Sequence, residues 1–180
     1  MSNRLLVYMG VLLCAAPLLP QSASEPVFDH GILRWFQLTE TREDVARIMG
    51  RPKVVTSFGD DFECWQYQIG VSDEHEFSHQ LVFRRDTGKL VSATRNYETD
   101  RDIDWLFPEG SGSVYWYTGP DGSKYGIRVS RLPDGRLLLA PGSTERGKPA
   151  SQIGLFRDTE LKAFYPWLAL QLRESQTQQK

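Results

Sequence analysis

The chain has 180 residues, with 21 Lys and Arg against 23 Asp and Glu, a formal net charge of -2 and 40% hydrophobic residues. Such a balance gives no basic field, which argues against nucleic acid as a partner, and its charges are interspersed as on an ordinary protein surface. Two cysteines in the whole chain are too few for a disulfide framework, so the fold must rest on its core.

Arg4 precedes an apolar run, Leu5 to Leu13, of about nine residues, the length of a signal-peptide core and too short to span a bilayer. Ser22-Ala23-Ser24 offers the small residues that suit cleavage before Glu25. Residues 1–24 therefore read as a signal peptide of bacterial type. The expectation is an exported protein, in the periplasm or at the periphery of the outer membrane. Cys14 follows Leu12 and Leu13 rather than small residues, which disfavours lipidation there and leaves Cys64 as the mature chain's lone thiol. The remaining roughly 155 residues are enough for one domain without metal or disulfide staples.

Asp29 to Leu38 places Ile32, Leu33 and Phe36 on one helical face, predicting a first short helix. Thr41 then caps a second, with Asp44 in capping-box position, Val45, Ile48 and Met49 as its apolar stripe, and Gly50 with Pro52 as its stop. From Lys53 the period becomes two: KVVTSF and FECWQYQI flank Gly59-Asp60-Asp61 as a hairpin. A polar connection is expected over Ser72 to His79, before LVFRRD and KLVSATRNY form a second hairpin around Thr87-Gly88. After a helical turn at Trp105 to Phe107, Ser113 to Thr118, Lys124 to Leu132 and Arg136 to Ala140 read as three more antiparallel strands, separated by Gly-Pro-Asp-Gly and Pro-Asp-Gly turns. Gly142 to Ala150 reads as a loop, and Thr159 to Leu172 as a helix that Pro166 kinks or restarts.

The fold class expected is α+β: two N-terminal helices packed on an antiparallel sheet, extended by a second β meander and a C-terminal helix. Residues 25–108 form the helix-helix-meander half, 109–174 the second meander with its helix, in the same domain or packed tightly on it, and 175–180 a frayed tail.

Several motifs of the first half occur together and in order: Thr41-Arg42-Glu43-Asp44-Val45, Met49-Gly50-Arg51-Pro52, Trp65-Gln66-Tyr67, and Leu81-Val82-Phe83 running to Asp86-Thr87-Gly88-Lys89-Leu90. In this the stretch Thr41 to Val91 resembles the SmpA/OmlA-like (BamE-like) family. The resemblance implies two helices on a three-stranded sheet, related to the β-lactamase-inhibitor-protein architecture, and a protein that binds other envelope proteins rather than catalysing. Each motif also has a plain structural cause in a cap, a helix exit, aromatic packing or a turn. The pattern departs from the family at Thr39, where Gly is common, and the second half has no counterpart in the family's minimal domain.

One segment invites an enzymatic reading. His75-Glu76-Phe77-Ser78-His79 satisfies the H-E-x-x-H pattern, in which two imidazoles on one helical face hold zinc and the glutamate, here Glu76, is the base for bound water. Its position between two strands argues for a solvated loop instead, with a small zinc-dependent hydrolase as the alternative. Asp100, Asp102 and Asp104 begin like a calcium loop, but Trp105 stands where that loop needs Gly. Neither a catalytic residue nor a cofactor is assigned.

Tyr115, Trp116, Tyr117 and Tyr125 concentrate aromatics at one end of the second meander. Alternation puts Tyr115 and Tyr117 on one face and Trp116 on the other, and exposed strand aromatics suit a protein or sugar contact, although core packing is the commoner use. The function expected is a non-catalytic exported scaffold or accessory factor that binds another envelope protein, with outer-membrane assembly or maintenance as its setting. Peripheral membrane association is compatible with this. A secreted inhibitor or ligand-binding module is a further alternative.

Overall fold

A computed structural model describes residues 36–72, 75–103, 107, 112–145 and 147–177. The expected signal peptide, Cys14, most of the first expected helix and most of the expected Trp105 to Phe107 turn lie outside the described residues.

Strands dominate. Helix α1 (Arg42–Met49) leads into β1 (Val54–Phe58), β2 (Phe62–Ser72), β3 (His75–Arg84), β4 (Leu90–Arg101), β5 (Ser113–Thr118), β6 (Lys124–Arg131), β7 (Arg136–Pro141) and β8 (Ala150–Arg157). A 3-10 turn (Asp158–Glu160) and the helices α2 (Leu161–Phe164) and α3 (Pro166–Thr177) follow. The strands make one antiparallel sheet in the order β1-β2-β3-β4-β8-β7-β6-β5.

This overturns the expected architecture. Phe36 to Leu38, the described end of the first expected helix, are not helical, and Leu38 has φ 58°, outside the right-handed helical region. Residues 36–40 are held as irregular chain instead: Arg136 and Arg157 donate to the carbonyls of Phe36 and Leu38, and Leu90 N donates to Glu40 O at 2.8 Å. The second surprise is β8, within Ala150–Arg157, which no sequence signal had marked. By pairing β4 with Ser92↔Phe156 and β7 with Leu137↔Phe156, it joins the two meanders into one sheet. The polar connection expected over Ser72 to His79 is also corrected, since β3 begins at His75. Likewise the tail expected to fray from Ser175 is helical to Thr177.

Alternation sorts the sheet into two faces. One bears Tyr67, Leu81, Phe83, Ala93, Ile153 and Leu155, all buried beneath Phe36 and Leu38 and, from α1, Val45. The other bears Ile127, Val129, Leu137, Leu139 and Phe156 and is covered by Leu161, Leu168 and Leu172 of the C-terminal helices. Phe164, Tyr165 and Trp167 pack on this second core, and Pro166 restarts the helix after Tyr165.

Phe164 stacks on Phe58 of β1 at 5.3 Å, while Trp167 meets Tyr117 of β5 at 5.5 Å. These two rings, three residues apart, reach opposite corners of a sheet that would be about 34 Å wide if flat. The sheet therefore coils around α2 and α3, as the right-handed twist of strands favours.

The cap predicted for α1 is formed in both directions: Asp44 N donates to Thr41 Oγ1 at 3.2 Å, and Thr41 N to Asp44 Oδ2 at 3.0 Å. Thr41→Ala is expected to lower stability by about 1 kcal/mol, measured as a shifted urea midpoint with unchanged slope. At the other end Gly50, with φ 76°, turns the chain out, and its carbonyl accepts from Tyr67 Oη at 3.1 Å.

Candidate functional site

The aromatic cluster is built on the β5–β6 hairpin. Its turn is locked by Gly119 N donating to Ser123 O and by Asp121 Oδ1, which accepts from Ser123 N and Oγ. In register, Tyr115 faces Ile127, Trp116 faces Gly126 and Tyr117 faces Tyr125. Tyr115 joins the core under α3. Tyr117 and Tyr125 lie side by side on that same face, and Trp167 is tilted by 33° against Tyr117. Trp116 takes the opposite face, over Gly126: a Cβ added there would stand 3.2 Å from its ring. The missing side chain makes the seat on which the indole rests.

Trp116, Tyr117 and Tyr125 remain 48%, 40% and 42% exposed. They wrap the outer end of the sheet on both faces. The edge itself is partly closed, since Gln171 Nε2 of α3 donates to the Trp116 carbonyl at 3.0 Å. What the corner offers is therefore ring surface with hydroxyl and indole tips more than a bare strand edge. Burial raises the Tyr125 phenol above its ordinary pKa. Tyr165 beside it is pushed up to about 12, first by burial and then by Tyr125.

The H-E-x-x-H segment lies on a strand. Extended backbone separates positions 75 and 79 by about 13 Å, so the helical spacing that brings both imidazoles to one zinc ion is not formed. His79, expected on the surface, is 0% exposed. Its Nε2 accepts from Arg95 Nε at 3.0 Å. Burial first, and the Arg95 charge second, push the His79 imidazole down to about 3. Among the described residues, no three His, Cys, Asp or Glu side chains converge as metal ligands.

His79 belongs to a row that sequence reasoning missed. Cross-strand register carries it from His79 to Arg95 and Ile153, and Arg128 continues on the same face opposite Ala140. Arg95 and Arg128 are both buried, and the Arg128 guanidinium lies 4.2 Å over the Phe107 ring. The available signal was an arginine on the apolar phase of a strand, between Ala93 and Tyr97. Burying such charges is costly unless they are hydrogen-bonded, so this row is a structural polar layer within the core.

Neither a family model nor a curated protein matches the chain. A solved cysteine-rich secretory protein from Staphylococcus aureus is similar at 11% identity and TM-score 0.45. That match covers 69% of this chain and 44% of the other, so the chain spans less than half of its neighbour's length. A likeness this slight carries neither fold nor function.

The remaining sequence candidates are not gathered at the aromatic corner. Cys64 is buried on β2, and burial raises its thiol pKa. Asp100 stands exposed near the end of β4, Asp102 follows it exposed, and Asp104 lies outside the described residues.

Proposed function

We propose that the protein is a non-catalytic exported binding protein whose aromatic corner, Trp116, Tyr117 and Tyr125, contacts another envelope protein. The observation that carries this reading is the exposure of three large rings at one end of the sheet, on a hairpin whose turn and neighbouring helix hold them in place. Tyr and Trp are enriched in protein interfaces because they bury much area for little lost side-chain freedom and keep a polar tip for a hydrogen bond. A setting in outer-membrane assembly or maintenance is part of the proposal. It rests on the sequence resemblance of Thr41 to Val91 to the SmpA/OmlA-like family and on the signal peptide read in residues 1–24.

The test is photocrosslinking in intact cells, with the reactive residue at Tyr125 or, as a control away from the hairpin, at the exposed Arg47 of α1. A dominant adduct with one envelope protein from position 125 and none from 47 is the expected result. Trp116→Ala and Tyr125→Ala should each weaken that complex by about tenfold or more, the effect of removing an aromatic anchor. No specific adduct, or equal adducts from both positions, would reject the aromatic corner as the binding surface.

A further inference from the structure

We propose that β1 is a self-association edge, on which a second copy of this chain pairs its own β1 antiparallel about Thr56. Among the described strands, β1 ends the sheet and pairs with β2 alone. All five of its residues are exposed, with Val54 at 41%, Val55 at 53% and Phe58 at 42%. Edge strands are ordinarily guarded by a charge, a proline, a bulge or extreme shortness. VVTSF contains neither charge nor proline, and its five residues make a strand of ordinary length.

The charges stand at the flanks, with opposite signs. Arg51 and Lys53 precede the strand, and Asp60 and Asp61 follow it in the turn, all four exposed. Antiparallel pairing centred on Thr56 sets Val54 opposite Phe58 and Val55 opposite Ser57 of the other copy. It carries Lys53 to Gly59, beside the exposed Asp60 of the turn, and two-fold symmetry repeats the match at the other end. Parallel pairing would instead set Lys53 against Lys53 and Asp60 near Asp60. Centring on a residue rather than between two also keeps like faces together, so the buried face under α2 continues from Phe58 of one copy to Val54 of the next.

The occupant follows from this pattern. Any extended apolar segment could add to a bare edge, and a second β1 adds to that a lysine just before the strand and a carboxylate just after it, at the spacing an antiparallel match needs. The aromatic corner lies on β5, at the other end of the sheet, so this inference stands independently of the binding role proposed for it.

Sedimentation of the full chain over a range of concentrations is the primary test, with a reversible monomer–dimer equilibrium expected. Val55→Lys places a guarding charge on the edge and should abolish the dimer while leaving the monomer's circular dichroism unchanged. Asp60→Lys should weaken the dimer about tenfold, because the pair is lost at both ends of the two-fold, and adding Lys53→Asp should restore it. Thr56→Cys, in a chain carrying Cys14→Ser and Cys64→Ala, should form an intermolecular disulfide across the axis, where facing Cβ atoms stand about 5 Å apart. Monomeric mass at every concentration, a dimer indifferent to Val55→Lys, or failure of the charge exchange to restore association would each overturn the proposal.

Discussion

His79→Gln is expected to abolish about 3 kcal/mol of stability loss that the native protein suffers between pH 7 and pH 4.5. The imidazole is fully buried, accepts from Arg95, and titrates at about 3 in the folded state, against about 6.5 when unfolded. A depressed histidine binds fewer protons in the native state than in the unfolded chain throughout that interval. Stability is therefore complete above pH 6.5 and is lost as the pH falls towards 3. The two units between 6.5 and 4.5, at about 1.4 kcal/mol each, give the expected loss, and whatever the carboxylates contribute over that interval is common to both proteins. Glutamine keeps an acceptor for Arg95 without a titrating group. Urea unfolding at the two pH values measures both proteins, and parallel losses would show that His79 does not govern acid sensitivity.

Leu38 carries the second large effect. Its side chain is 0% exposed in the core, yet its backbone has φ 58°, a left-handed conformation that costs a branched residue roughly 1–2 kcal/mol. Leu38→Ala should destabilise by about 2–5 kcal/mol through the cavity it leaves. Leu38→Gly removes slightly more side chain but relieves the left-handed strain, so it should be no worse than the alanine variant and milder by up to about 1 kcal/mol. That order reverses the usual penalty for glycine. Denaturation of both variants decides the matter, and a glycine variant markedly weaker than alanine would show that the strain is not stored at Leu38.

The same residue explains why the first helix was misjudged. Ile32, Leu33 and Phe36 have helical spacing, but Arg136 and Arg157 reach the carbonyls of Phe36 and Leu38 from strands about a hundred residues later. A local pattern cannot anticipate acceptors claimed from so far along the chain. β8 was missed for a related reason. Its sequence, ASQIGLFR, contains a glycine, and glycine weakens a strand signal. Gly154 nevertheless belongs there, because a Cβ would stand 2.8 Å from the Phe156 ring and 2.9 Å from Thr94 Oγ1. The sheet selects the small residue for its closeness to Thr94 on the neighbouring strand, which is remote in sequence, as well as to Phe156.

Local chemistry determined a good deal from the sequence by itself: the α1 cap, the Gly50 exit, the Gly59 and Gly88 turns, the two opening hairpins, and the alternation that separates Trp116 from its tyrosine neighbours. Each depends on residues within one turn or one hairpin, where dihedral preference and capping act directly. Only the tertiary structure decided that β8 unites the meanders, that His79 and Arg95 share a buried layer, and that β1 is left as an edge. Those are matters of which strands become neighbours, and pairing partners are chosen by the burial of whole faces rather than by any residue's local preference.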